Sequence, residues 1–187
     1  LTDSEYVAFL DSDDYWHPEK TARQTAVVKE SPDVDIVYCD QHVVDVDDAP
    51  RSSGKALPER NLLEHLVDGW TAPNTSTLFI KRSWILDANG FDTTLPSCQD
   101  HDLWMRIARS EAAVRAVDEP LSYFTRDADN RISADYTDRI EGVDQFLEKW
   151  REPITETTGE RGYKQFARDY YARATLPLAY KTLVAGD

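Results

Sequence analysis

The stretch YVAFLDSDDYWHPEK, residues 6 to 20, limits the fold more than any other part of the chain. Residues 6–10 are apolar and β-prone, which predicts a strand covered on both faces, as in a parallel sheet. Three carboxylates, Asp11, Asp13 and Asp14, follow at once. Pro18 then falls in the first turn of a helix that continues through EKTARQTAVVKES to Pro32, with His17 or Asp14 as its cap. Strand, acidic loop and helix in that order specify an α/β unit, where ligands gather at the carboxyl ends of strands. The acidic cluster has three physical readings. It caps the helix, faces water, or converges on one hard divalent cation that can neutralise a diphosphate.

The alternation continues. DIVYCDQHVVDV, 35–46, predicts a second strand and DDAPRSSGK a polar loop. PERNLLEHLVDGW places Leu62, Leu63, Leu66 and Val67 at helical spacing before Gly69. STLFIKRSWIL predicts a strand at 76–81 and a short helix ended by the ANG that follows. In PSCQDHDLWMRIARS, Ser97 and Asp100 have capping-box spacing, Asp102 and Arg106 form an (i, i+4) pair, and Leu103, Trp104, Ile107 and Ala108 make an apolar helix side. Residues 112–126 read as two short strands broken at Pro120. From Tyr136 onward the pattern is helical with a break between Pro153 and Gly162. Tyr163, Phe166, Tyr170, Tyr171, Leu176 and Leu178 are expected by default to pack back on the preceding part, the alternatives being to line an acceptor channel or to meet a partner.

At 187 residues and 41% hydrophobic side chains, the chain can build one ordinary core and an appendage. Its 35 acidic against 21 basic residues give a net charge of −14, which repels nucleic acid and anionic lipid head groups. Such an acidic surface is also halophile-like. Two cysteines, Cys39 and Cys98, give neither a disulfide framework nor a zinc spacing, and none of His17, His42, His65 and His101 pairs at ligand spacing. A cytoplasmic protein is expected, with any contact at the inner face of the membrane peripheral, because no run of about 18 apolar residues and no leader pattern is present. An EF-hand starting at Asp11 fails, since its sixth position is Trp16 and its twelfth Ala22.

Four strings, YVAFLDSDDYWHPEKTARQ, DIVYCDQHVVD, STLFIKRSWILDANGFDTTL and CQDHDLWMRIA, in this order, resemble the catalytic half of the family-2 inverting glycosyltransferases of GT-A fold. The resemblance covers roughly residues 1–135. It implies an α/β fold: a partial GT-A unit, Rossmann-like and mostly parallel, flanked by helices and followed by a helical extension at 136–187. It also implies a metal-dependent, inverting transfer of sugar from a nucleotide-sugar, most simply a UDP-sugar, to a glycan, lipid or protein acceptor. Asp11 and Asp13 match the D-x-D carboxylates that meet Mg²⁺ or Mn²⁺, with Asp14 and Trp16 beside the donor. Asp100 matches the aspartate of the E-D pair, the general base. Gln99, His101 and Asp40 are the acceptor-facing candidates, and Arg126 and Arg131 are candidates for the leaving diphosphate.

Two departures qualify the resemblance. Gln99 stands where relatives carry glutamate, and Asp127 stands where many carry histidine, leaving Asp127 as a third metal ligand or a surface residue. Relatives also carry a nucleotide-binding half before the D-x-D strand, whereas here Leu1 lies just ahead of it. The expectation is a truncated GT-A unit that is weak or inactive alone and dimerises through its exposed side. The competing reading is a non-catalytic binding or assembly module on a degenerate glycosyltransferase fold.

Overall fold

The computed structural model describes residues 3–44, 50–54, 62–67, 73–110, 112–125 and 136–185. The elements are β1 (Tyr6–Val7), β2 (Tyr15–Trp16), α1 (Lys20–Glu30), β3 (Ile36–Val44), β4 (Pro50–Gly54) and α2 (Leu62–Val67). A 3-10 turn (Thr75–Thr77), β5 (Leu78–Lys81), α3 (Arg82–Asp87), α4 (Gln99–Ala108), β6 (Val114–Thr125) and α5 (Tyr136–Ala185) complete them. The α/β class holds.

The strand covered on both faces is β3. Ile36, Val37, Tyr38 and Cys39 are all buried, and their side chains alternate between two cores. Ile36 and Tyr38 join Leu78, Ile80, Leu103, Trp104, Phe146, Trp150 and Phe166 on the α4/α5 side. Val37 and Cys39 join Val117 and Leu121 beneath Val27 and Val28 of α1. A period of two under two helical layers therefore produces the unbroken apolar run. The same signature at 6–10 predicted a buried strand and is corrected: only Tyr6 and Val7 are strand, both half-buried, and Leu10 is 49% exposed. This segment lies at the end of the sheet, where one neighbour is enough.

The sheet has six strands in the order β1-β5-β3-β6-β2, with β4 also pairing β3. Its parallel character is narrower than expected. Among the described residues β3–β6 is the parallel pair, and β1–β5, β2–β6, β3–β4 and β3–β5 are antiparallel. Residues 50–54, read as loop, are β4, whose Pro50 opens the strand and therefore interrupts no ladder. Pro120 does not split 114–125 into two strands either. The register slips between Cys39 opposite Val117 and Asp40 opposite Pro120, so a bulge accommodates the residue that lacks an N–H.

Helix boundaries follow local chemistry. Asn89 (φ 58°) and Gly90 (φ 68°) take left-handed conformations just after α3 and end it, as ANG predicted. α5 is interrupted at Gly159, whose φ of 75° and ψ of 168° are not helical, within the anticipated break. Of the expected caps, His17 Nδ1 accepts from the Glu19 N–H at 3.3 Å at the start of α1, whereas Asp14 does not cap α1 and Ser97 does not cap α4. Glu19 precedes α1 without a side-chain cap bond, and Cys98, at φ 66°, precedes α4 while Ser97 Oγ donates to the Arg139 carbonyl at 3.4 Å. Ser97 is drawn to α5 because Gly142 approaches it so closely that an added Cβ would lie 2.7 Å from the Ser97 nitrogen. Leu66 and Val67 of α2 reach the core as predicted, while Gly69 is outside the described residues. Phe166 and Tyr170 of α5 are buried in the same core, Tyr163 and Tyr171 pack against it, and Leu176 is 64% exposed. Leu178 is outside the described side chains. No helix among the described residues is long and apolar enough to cross a membrane.

A buried ionic hub joins α4 to α5. Asp102, with no exposed surface, accepts from Arg106 Nε (2.9 Å) and Trp150 Nε1 (3.0 Å) and pairs with Lys149 Nζ (2.7 Å). Lys149 also meets Asp92 Oδ2 at 2.6 Å, and Arg106 donates to the Ala88 carbonyl. The sequence pair Asp102–Arg106 is thus half of a larger arrangement. Removing one partner from a buried ion pair leaves charge without compensation. Asp102→Asn is expected to lower stability by about 3–5 kcal/mol, measured as a shift of the urea midpoint at unchanged m-value.

Candidate functional site

The acidic loop crosses the sheet from edge to edge. β1 is at one end of the strand order and β2 at the other, so residues 8–14 must pass over the strands between them. They pass at the carboxyl ends of the parallel pair, because Asp14 Oδ1 accepts from the N–H of Thr125, the last residue of β6 (3.2 Å). Asp14 Oδ2 accepts from Asn74 Nδ2 at 3.0 Å, and the Asp14 N–H donates to the Asp11 carbonyl at 3.1 Å, closing a tight turn. Burial pushes the Asp14 carboxyl above its ordinary value, opposed by hydrogen bonds from Ser76, Asn74 and the Thr125 N–H. Asp14 is therefore an anchor within the loop and not the cap of α1. Asp13 is half-buried and Asp11 exposed.

The segment Pro73–Thr77 organises this loop, and its Ser76 and Thr77, read from sequence as the start of a strand at 76–81, belong instead to the 3-10 turn before β5. Asn74 Oδ1 accepts from the Ser76 N–H at 2.7 Å, Ser76 Oγ accepts from the Asp11 N–H at 3.1 Å, and the Ser76 carbonyl accepts from Trp16 Nε1 at 2.7 Å. On its other side the Pro73 carbonyl accepts from Trp104 Nε1 of α4 at 3.2 Å, and Trp104 is buried in the core. One short segment thus ties the acidic loop to the helix that carries Asp100. Asn followed two residues later by Ser is an Asx-turn signature that could have revealed it.

An overlooked group lies beneath. Lys20 and Gln24 are fully buried at i and i+4 on the stripe of α1 that continues to Val27 and Val28. Lys20 Nζ donates to Gln24 Oε1 (2.9 Å) and to the Leu78 carbonyl (3.3 Å), and stands 4.2 Å from the centre of the Trp16 ring. Gln24 Nε2 donates to the carbonyls of Val37 (3.1 Å) and Thr77 (2.8 Å). Trp16 is therefore held by its indole N–H above and a cation at its ring, and it covers the start of α1. Polar residues at apolar-stripe positions were the readable signal.

The remaining predicted residues divide. Gln99, Asp100 and His101 share the first turn of α4, whose dipole favours a negative charge. Gln99 Nε2 turns back to the Leu95 carbonyl (2.8 Å), Asp100 is half-exposed, and His101 Nδ1 bonds the hydroxyl of Tyr170. Asp40 is half-buried on β3 at the bulge opposite Pro120. Arg126, Asp127 and Arg131 are outside the described residues. As for a cation, no group of three or more His, Cys, Asp or Glu that could hold one occurs among the described residues. A donor set of Asp11 and Asp13 still fits Mg²⁺ or Mn²⁺, which are commonly held by one or two carboxylates with phosphate and water filling the shell. Asp14 is already bonded to Asn74 and Thr125.

Residues 1–157 match the family described as glycosyltransferase like family 2. The chain belongs to that family. An uncharacterized glycosyltransferase of Haemophilus influenzae is 23% identical to it over 184 residues, which is 94% of this chain and 58% of that relative. This glycosyltransferase-like family 2 chain therefore spans less than two thirds of that relative's length. The crystal structure of S. aureus TarS 1–349 in complex with UDP superposes with a TM-score of 0.52 over 78% of this chain and 42% of that one, at 22% identity. A second crystal structure of S. aureus TarS 1–349 gives a TM-score of 0.50 over 93% of this chain and 59% of that one, at 16% identity. The shared feature is the glycosyltransferase GT-A-like fold, a curled sheet flanked by helices.

Burial pulls the Lys20 ammonium down from 10.5 to about 8, whereas the Cys39 thiol is pushed up to about 11. Between those Lys20 values the unfolded chain holds more protons, so stability rises with pH there and is lost as pH falls through 8. Cys39 acts in the opposite direction from its ordinary value of 9.0 upward. Wild-type stability is expected to rise from pH 8 to 9, and Lys20→Met to lack that rise, in urea titrations at each pH.

Proposed function

We propose that this chain forms the acceptor and metal-facing part of a nucleotide-sugar glycosyltransferase that inverts the anomeric centre, transferring sugar to a glycan, lipid or protein. The observation that carries the reading is the anchoring of Asp14 at the carboxyl ends of β3 and β6. It fixes a turn that presents Asp11 and Asp13 where open α/β sheets bind ligands. These two residues would hold Mg²⁺ or Mn²⁺, and the bound cation would offset the negative charge of the donor's diphosphate.

The protein's own residues do the rest. Asp100 removes the acceptor hydroxyl's proton, and an in-line displacement requires that base on the face opposite the leaving group. Asp100 stands in the first turn of α4, at the end of the helix dipole that favours negative charge. Gln99, His101 and Asp40 orient the acceptor in this reading, and Trp16, held by Ser76 and Lys20, gives the donor side an apolar wall. Arg126 and Arg131 meet the diphosphate.

The UDP in the TarS complex makes that nucleotide the first to test. Calorimetric titration of Mn²⁺ is expected to show binding that depends on UDP in the wild type and is lost in Asp11→Asn/Asp13→Asn. Undiminished binding by the double variant would overturn the metal assignment. Asp100→Asn is expected to keep Mn²⁺–UDP binding while sugar transfer by the whole protein falls by about 10²–10⁴-fold. A wild-type transfer rate in that variant would remove Asp100 as the base.

A further inference from the structure

The helix that closes the chain reaches the first turn of α4. Tyr170 of α5, buried in the main core, places its hydroxyl against Nδ1 of His101. The other imidazole nitrogen, Nε2, lies 3.9 Å from Asp100 Oδ2, beyond hydrogen-bond length but well within Coulombic reach. The three side chains therefore form a line from α5, through His101, to the carboxylate read as the base. Phe146 and Tyr170 hold the imidazole edge-on, with ring centres at 6.3 and 5.4 Å, and Phe146 stacks on Tyr170 at 4.7 Å. The ring has little freedom to turn.

The Asp100 charge favours one tautomer, and the Tyr170 hydroxyl is able to complement it. A lone pair on Nε2 would face the Asp100 anion, whereas an N–H there would point positive charge at it, so Asp100 favours the proton on Nε2. Nδ1 is then an acceptor, and its neighbour must donate. The Tyr170 phenol can do so, because burial holds it protonated far above its ordinary value. The imidazole itself stays neutral: burial pulls His101 down, Asp100 raises it, and the nearby cations Arg139 and Arg173 of α5 lower it. Arg139 also reaches Cys98 Sγ at 3.9 Å, which keeps this end of α5 against the turn that starts α4.

We propose that Tyr170 and His101 are positioning residues for Asp100: the Tyr170 hydroxyl fixes the proton of His101 on Nε2, and that N–H orients the carboxylate that receives the acceptor's proton. This inference rests on the reading of Asp100 as base, and it assigns the C-terminal helix a part in the site. A similar logic operates wherever a histidine's second nitrogen is bonded to set the function of the first.

Its test separates the two readings. Side-chain ¹⁵N NMR of the full chain, with His101 assigned by His101→Gln, reports the tautomer directly and needs no substrate. The expected wild-type result at neutral pH is a neutral His101 protonated on Nε2. Tyr170→Phe keeps the ring packing and is expected to shift His101 to a tautomer mixture, and Asp100→Asn to lower its titration midpoint. A wild-type His101 protonated on Nδ1, or a pattern unchanged in folded Tyr170→Phe, would overturn the proposal. In transfer assays of the whole protein, Tyr170→Phe is expected to lower kcat by up to about 100-fold with donor KM unchanged. A change in donor KM alone would count against positioning. An Asp100→Asn variant that transfers normally would remove the base assignment while leaving the NMR result standing.

Discussion

A fully buried carboxylate, Asp102, determines how α4 and α5 are assembled. Its partners come from α4 itself, through Arg106, and from α5, through Lys149 and Trp150. Lys149 extends the pairing to Asp92, in the stretch between α3 and α4. A buried anion surrounded by cations and an indole N–H permits few alternative geometries, since any slippage would leave charge unpaired in a dry interior. The helix carrying Asp100 is thereby fixed in depth and rotation. Its N-terminal turn can then project outward although the rest of α4 is almost wholly buried.

The acidic loop is held on the same logic of buried polar groups that are satisfied. Asp14 is the inward carboxylate, and its bonds to Asn74 and Thr125 join it to the start of the 3-10 turn and to the end of β6. Lys20 and Gln24 perform the equivalent task from below, bonding carbonyls at Val37, Thr77 and Leu78. Between these layers the indole of Trp16 is fixed at both its N–H and its ring. Polar groups satisfied in this way leave the loop few alternative arrangements.

Much of this was legible in the sequence because it depends on period and punctuation. The apolar run of β3, the stripe of α4, the stop at Asn89–Gly90 and the helical tail each follow from spacing or a single backbone preference. The edge role of Tyr6–Val7 was not legible, since an apolar run cannot say how many neighbours its strand will have. Ser97 and Asp100 had the spacing of a capping box, but Gly142 lets α5 come so close that Ser97 bonds across to Arg139 instead. The D-S-D-D cluster was visible in the sequence, yet which carboxylate turns inward depended on Asn74 and Thr125, far along the chain. Tyr170 and His101 met for the same reason. Pairings between distant segments leave no local trace.

That distance also governs when the site can exist. The bonds that shape the acidic loop span 60 residues to Asn74, 65 to Ser76 and 111 to Thr125. Contacts of such separation require the intervening chain to be closed first, at an entropy cost that local structure does not face. The loop can hold its shape only once the last residue of β6 is in place beside Asp14. Asp11, Asp13 and Asp14 are therefore organised by residues far along the chain, and their loop takes shape only after the sheet beneath it.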